Sequence, residues 1–364
     1  MKTSTTTSGI ATRSHGPADV TVAQLAGFDE IIDVRSESEF ADDHIPGAVN
    51  CPVLNDAQRA DVGTIYKQVS SFDAKKIGAA LVSENIARHL RERFQTKPRD
   101  WRPLVVCWRG GGRSGAMAHV LTQIGWRTGR LEGGYKAYRR AVILDLEMLP
   151  SKFTWRVVCG MTGTGKSRLL RALDSAGAQV LDLEALAAHR GSVLGNLPHA
   201  SQPPQKMFES RIWHALQNFD ASRPVYVESE SKKIGTLRVP DALITAMWAS
   251  ETIVLEAAVA TRVMLLKEEY AHFLADTATL NTQLECLTSL HGHATIAHWA
   301  GMARDNEWDA LTEELLARHY DPSYTRAIIK HYPSLDRAVR LQVGAADDAT
   351  FAALAKNCLE KVSL

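Results

Sequence analysis

Pro103-Leu104-Val105-Val106-Cys107-Trp108-Arg109-Gly110-Gly111-Gly112-Arg113-Ser114 decides the fold. An apolar run of strand length enters a glycine-rich turn, and Ala116-Met-Ala-His-Val-Leu-Thr-Gln-Ile124 continues at helical spacing. That order stands a cysteine at the mouth of a loop whose backbone N–H groups can converge on an anion. Arg109, Arg113 and the helix N-terminus add positive potential, so the Cys107 thiol is expected to ionise readily and act as a nucleophile. Gly110, Gly111, Gly112 and Ser114 complete the expected anion loop.

A second segment fits the same picture: Ile31-Ile-Asp33-Val-Arg35-Ser-Glu37-Ser-Glu39-Phe40, followed by His44-Ile45-Pro46-Gly47-Ala48. Together the two segments resemble the rhodanese family. The resemblance makes Asp33, Arg35 and His44 the scaffold of the cysteine site. The loop departs from the common rhodanese pattern, because Arg113 lies six residues after Cys107 rather than five. This Cys-x5-Arg spacing widens the cradle and is shared with cysteine phosphatases, so it suits a tetrahedral oxyanion or a larger chalcogen.

Further along, Phe153-Thr-Trp-Arg-Val-Val-Cys159 reads as a strand, and Gly160-Met-Thr-Gly163-Thr-Gly165-Lys166-Ser167 opens a helix. This is G-x-x-x-x-G-K-S with a strand before it and a helix after it, the context a P-loop requires. Its amides are expected to wrap a di- or triphosphate, with Lys166 on the terminal phosphoryl oxygens and Ser167 where a Mg²⁺ ligand belongs. Strands are also expected at Gln179–Glu184, Pro224–Ser231 and Thr252–Glu256, which makes a parallel sheet. Asp182 and Glu228 end two of them and are the candidate acids for a metal or second site. The polar stretch Gly191–Lys206 is expected to be a substrate loop. Beyond Val259 the pattern is helical, and a nucleotide-kinase reading makes Arg262 a lid arginine. His291 and His293 lack a carboxylate or cysteine at ligand spacing, and no structural metal is indicated.

The chain is thus expected to be α/β: a tail over residues 1–18, a rhodanese-like α/β domain over 19–149, and a P-loop NTPase-like α/β domain with a helical C-terminal part over 150–364. In the first domain Val20–Gly27 is expected to be a short helix, Gly47–Leu54 a strand and Asn55–Phe72 an irregular polar insert. Asp73–Phe94 should form a helix with Ile77, Leu81, Ile86, Leu90 and Phe94 on its apolar side.

Composition limits the function. The 364 residues are 45% hydrophobic and 23% charged, with a net charge of +1, as in ordinary globular proteins. A nucleic-acid contact must therefore come from a local basic face; Arg88, Arg91, Arg93, Lys97, Arg139 and Arg140 are the candidates. The five cysteines, at 51, 107, 159, 286 and 358, show no Cys-x-x-Cys pair, which fits a reducing cytoplasm. No run of about 18 apolar residues occurs, so no membrane span is expected.

A rhodanese domain fused to a P-loop domain, with Cys-Trp-Arg-Gly-Gly-x-Arg-Ser in the loop, resembles the tRNA 2-selenouridine synthase family. Further carriers are Tyr66-Lys-Gln68, Leu131-Glu-Gly-Gly-Tyr-Lys136, Leu181-Asp-Leu-Glu-Ala-Leu186, Ala188-His-Arg-Gly-Ser192, Glu228-Ser-Glu-Ser-Lys-Lys-Ile-Gly235 and His319-Tyr-Asp-Pro322. The resemblance implies replacement of sulfur by selenium in a wobble-position 2-thiouridine on the tRNA anticodon arm. Selenophosphate is the implied selenium donor, and geranyl diphosphate the implied source of an S-geranyl intermediate. It makes Cys107 the carrier of an S-selanylcysteine, with no tightly bound cofactor beyond an optional Mg²⁺. A plain sulfurtransferase, a Cys-x5-Arg phosphatase with an ATP-binding accessory domain, and an ATP-driven RNA-binding protein stay open as other classes.

Overall fold

The computed structural model describes residues 16–198 and 200–362. The expected tail falls, up to residue 15, outside the described residues, and Ala18 already opens a strand. The chain divides into two compact units, the first ending at Val142 and the second beginning at Ile143. Among the described residues no helix is long and apolar enough to cross a membrane.

The first unit is built on β1 (Ala18–Val20), β2 (Glu30–Asp33), β3 (Val49–Asn50), β4 (Pro103–Val106) and β5 (Gly129–Leu131). They form one sheet in the order β1-β5-β4-β2-β3, and every pairing is parallel. Central β4 is buried on both faces, as its unbroken apolar sequence requires. The register Asp33↔Val106 brings the carboxyl ends of β2 and β4 together. Ile32, Val34, Phe94, Trp101, Val105, Met117 and Leu121 fill the core around them.

Four expectations for this unit need correction. Val20 belongs to β1, and only Val22–Gly27 coils, as a 3-10 turn. Only Val49–Asn50 of the expected strand 47–54 pairs. The segment read as an irregular insert contains a helix, Asp56–Gln68. Its start is fixed by a capping box: Gln58 N donates to Asn55 Oδ1 at 2.8 Å, and Asn55 N donates to Gln58 Oε1 at 3.1 Å. The next helix, Ser71–His89, turns Ala74, Gly78, Ile86 and His89 inward, whereas Ile77 is exposed.

The second unit holds β6 (Trp155–Gly160), β7 (Gln179–Leu181) and β8 (Val225–Glu228), a short antiparallel hairpin β9 (Lys233–Ile234) and β10 (Leu237–Arg238), then β11 (Glu251–Ala257) and β12 (Val339–Val343). The main sheet runs β12-β11-β6-β8-β7, all parallel. The helical region beyond Val259 packs a separate core around Phe273, Leu280, Leu284, Trp299, Leu311 and Leu315. That region was expected to continue to the end, but β12 returns to the sheet beside β11. Val-Arg-Leu-Gln-Val alternates as a strand with one covered face should: Leu341 and Val343 are buried, Arg340 and Gln342 exposed. The helix Asp348–Val362 covers that face, with Phe351, Ala355 and Cys358 against Leu169, Leu170 and Leu173.

Leu341→Ala is therefore expected to cost about 2–5 kcal/mol, as a cavity in a packed core does. Arg340→Ala removes only an exposed pair with Glu256 and should cost less than about 1 kcal/mol. Denaturant unfolding of the two variants tests this. Equal effects would mean that β12 does not lie in this register.

Candidate functional site

In each unit a central strand of the sheet runs through a glycine-rich turn into a helix, and the two turns differ in chemistry. In the first, Cys107 follows β4 directly and lies buried at the floor of the loop, with the helix Gly112–Ile124 beginning five residues on. Among the described residues, no backbone N–H from Trp108 to Ser114 has a protein acceptor. Unpaired N–H groups beside a buried thiol suit an anion. Ser114 Oγ lies 3.0 Å from Cys107 Sγ and donates to Gly111 O at 3.2 Å. A hydroxyl carries one proton, so on ionisation of the thiol it can turn from the carbonyl to the thiolate.

The loop is held from behind. Arg35 donates to Asp33 through Nη2 at 2.5 Å and Nε at 2.9 Å, and to Asp43 O at 2.7 Å. Its guanidinium lies 4.0 Å from the centre of the Tyr135 ring. Tyr135 in turn donates its hydroxyl to Asp43 at 2.9 Å and its backbone N–H to Cys107 O at 2.8 Å. Asp33 and Arg35 thus reach the cysteine through one aromatic ring, as a scaffold. Gly134 allows this closeness: it has φ +59°, and a Cβ there would sit 2.2 Å from Cys107 O. His44 supports only its own turn, with Nδ1 2.8 Å from Phe40 O and its ring stacked on Phe40.

Arg113 donates to Glu39 at 2.9 Å, and Arg59 joins the same carboxylate at 3.0 Å. Burial pushes the Glu39 carboxyl up, but Arg113, the Ser36 N–H and Arg59 outweigh it and hold it below its ordinary range. Sequence reasoning missed Glu39 as a site residue. Its signal was the Ser36-x-x-Glu39 capping box, which aims the carboxylate back from the helix start. Arg109 is exposed at the rim. Of the proposed basic face, Arg88, Arg91, Arg93 and Arg140 are exposed and Arg139 is partly buried. Lys97 is tied to Glu30 at 2.5 Å and lies over Trp101, so it is not a free cation.

In the second unit Gly160, Gly163 and Gly165 carry β6 into the helix Lys166–Ser175, all three at positive φ. Two of these positions also touch neighbouring helices closely. A Cβ at Gly163 would meet Leu266 at 2.8 Å, and one at Gly165 would meet Phe351 at 2.4 Å. Arg262 is not a lid arginine. It is 3% exposed, paired through two bonds to Asp321 (2.6 and 3.0 Å), and donates to Thr162 O at 2.8 Å, which braces the P-loop. Lys166 Nζ donates to Gly160 O at 2.9 Å, and Gly160 N donates to Tyr324 Oη at 2.6 Å.

The acids converge differently from the expected pair. Asp182 Oδ1 accepts from Ala185 N at 2.8 Å and caps a helical turn. Glu184, two residues on, instead joins Glu228 and Glu230, with ligand oxygens all within 4.8 Å of one another. Ser167 Oγ donates to Glu184 at 3.2 Å. Burial first, and then repulsion by neighbouring carboxylates with Asp182 among them, push Glu184 up to about 7, Glu230 up to about 8 and Glu228 well above the carboxylate range. Burial disfavours the Lys166 ammonium, yet Tyr324 and the three glutamates raise its pKa overall. All these groups border a cavity of about 850 Å³, which the expected substrate loop enters through Gly191, Ser192 and Val193. A smaller apolar pocket of about 70 Å³ shares Thr162, Leu266, Tyr270 and Tyr320 with it and is walled by Phe273, Leu280, Trp308, Leu311 and Leu315.

Arg35→Ala leaves Asp33 buried without its cation and is expected to destabilise the first unit by about 3–5 kcal/mol. Chemical unfolding followed by tryptophan fluorescence checks this. A loss below about 1 kcal/mol would show that the pair does not hold the loop.

Comparison with known proteins matches each unit to a family. Residues 19–141 match the rhodanese-like domain, and residues 153–290 match the tRNA 2-selenouridine synthase AAA domain. The tRNA 2-selenouridine synthase of Nitrosomonas europaea is 37% identical over 244 residues, which is 66% of this chain and 63% of that one. The chain therefore spans just under two thirds of that relative's length. The enzyme of the same name from Cupriavidus necator is 34% identical over 313 residues, 83% of each chain. A rhodanese-related protein of known structure from Thermoplasma volcanium aligns with 34% of this chain and 91% of its own, at 20% identity and a TM-score of 0.22. The chain belongs to the tRNA 2-selenouridine synthase family.

Proposed function

We propose that this protein replaces sulfur by selenium in wobble-position 2-thiouridine of tRNA. Selenophosphate would enter at Cys107, and a prenyl diphosphate, geranyl diphosphate by resemblance, would enter at the P-loop. The observation that carries the reading is that one chain of this family pairs an anion loop containing a nucleophile with a P-loop that contains none. A plain sulfurtransferase would leave the second loop idle.

In the second unit, the chemistry follows from where charge changes. Prenyl transfer breaks a C–O bond and leaves both electrons on the diphosphate. Lys166 and the P-loop amides stabilise that charge most in the transition state. The apolar pocket beside Thr162, with Tyr270 and Tyr320 at its junction with the larger cavity, takes only the end of an isoprenoid tail at about 70 Å³, and the rest of the tail would lie in that cavity of about 850 Å³. A nucleobase would seek hydrogen-bonding edges, which Leu266, Phe273, Leu280 and Leu315 do not offer.

The residues also fit a Mg²⁺ ion. Three carboxylates face one lysine, and Glu228 Oε1 is buried without a hydrogen-bond partner among the described residues. Glu184, Glu228, Glu230 and the Ser167 hydroxyl would hold it, and when bound it would shield the diphosphate charge.

Nucleoside mass spectrometry of bulk tRNA, from cells with and without this protein, tests the whole reading. The absence of both 2-selenouridine and S-geranyl nucleosides in its presence would sink it. Lys166→Ala is expected to slow geranyl transfer by at least about hundredfold, the scale for losing one charge-stabilising donor. The same variant should still consume selenophosphate. Strong ATP hydrolysis that vanishes in Lys166→Ala, with geranyl transfer intact, would instead assign the P-loop to nucleotide.

A further inference from the structure

We propose that Cys107 attacks the phosphorus of selenophosphate, not its selenium. The cysteine then carries a phosphoryl group, and hydrogen selenide is the species set free. This step rests on the reading that selenophosphate is the donor, and it follows from counting electrons.

In selenophosphate the selenium is already at the selenide level and the phosphorus is fully oxidised. If the thiolate attacked selenium, the Se–P pair would leave on phosphorus and the product would be phosphite. To obtain both a Cys–S–Se species and phosphate, two electrons would have to be removed. Neither the proposed reaction nor the site supplies an oxidant. An S-selanylcysteine formed directly from selenophosphate therefore does not balance.

Attack on phosphorus balances without redox change. The Cys107 Sγ–P bond forms as the P–Se bond breaks, and the electron pair leaves with selenium as hydrogen selenide. Water then attacks phosphorus, the S–P pair returns to sulfur, and phosphate departs. The sum is hydrogen selenophosphate plus water giving hydrogen selenide and dihydrogen phosphate.

The loop is built for the phosphoryl group. Five residues separate Cys107 from Arg113, and the backbone N–H groups from Trp108 to Ser114 have no protein acceptor among the described residues. They can serve the three oxygens of a phosphoryl group on Sγ. Arg113 is fixed at the rim by Glu39 at 2.9 Å through Nη1, which leaves its other guanidinium N–H groups for those oxygens. Ser114 Oγ lies 3.0 Å from Sγ, placed to donate to a thiolate whenever sulfur carries the charge. No acid follows the loop at Ser114-Gly115. An alcohol leaving group would need one, but hydrogen selenide is acidic enough to leave as an anion.

The test uses the full chain and selenophosphate labelled with radiophosphorus, with neither tRNA nor prenyl donor. After a rapid denaturing quench, the label is expected on the Cys107 peptide and absent from Cys107→Ser. Ser114→Ala should keep the label about tenfold longer, because the departing thiolate loses a hydrogen bond to its charge. Selenium on Cys107 without phosphorus overturns the proposal, as does absence of label in both native protein and Ser114→Ala. A chain that labels Cys107 but makes no 2-selenouridine with tRNA would uphold this step and remove the wider reading.

Discussion

A parallel strand that runs through a tight turn into a helix leaves several backbone N–H groups without acceptors, because neither the sheet nor the first helical turn can pair them. Both units are organised around such a turn. In one it lies between β4 and the helix Gly112–Ile124; in the other it lies between β6 and the helix Lys166–Ser175. Glycine is what permits it. Gly110, Gly163 and Gly165 hold positive φ, and a Cβ at any of them would strike a neighbouring segment at 2.8 Å or less. The remaining elements of each site serve to keep a loop of unpaired donors from collapsing.

The two loops are braced by opposite electrostatic means. Behind Cys107, the Asp33–Arg35 pair is neutral as a whole, nearly excluded from water, and transmits position through Tyr135 rather than charge. Arg35 commits its guanidinium to the Asp33 carboxylate, which leaves Arg113, held at the edge by Glu39, and the helix start to face the cradle. Around the P-loop, three glutamates outnumber Lys166, and burial lifts their pKa values toward neutrality. Such a surplus is costly unless a cation or a proton relieves it. A site that gathers acid next to such a loop suits the proposed diphosphate if it arrives with its own counter-ion.

Local features were legible in the sequence, and non-local ones were not. The glycine–cysteine loop, the P-loop and the buried strands each depend on residues within about a dozen positions, and periodicity exposes them. Glu39 meets Arg113 across 74 positions, and Arg262 meets Asp321 across 59; no spacing rule finds such partners. Asp182 looked like the functional acid because it ends a strand. Once it caps the turn at Ala185, the next residue facing the cavity is Glu184. The strand Val339–Val343 was hidden by brevity and by its place after a long helical run, where an alternating pentapeptide is easily read as a helix end.

The difference between the loops is one of position within the same design. At the P-loop, the residue proposed to meet the phosphates is a lysine, which can hold charge but cannot form a bond with phosphorus while protonated, and its surroundings raise its pKa. Such a loop can only receive a phosphate that leaves another atom. At the first loop the sheet ends in a thiol directly beneath the donors, so the group held there can be joined to the protein. An enzyme that must break a C–O bond to diphosphate and a P–Se bond needs one loop of each kind. On the proposed reading the P-loop must let its phosphate go as an anion, and the cysteine loop must first take the phosphoryl group away from selenium.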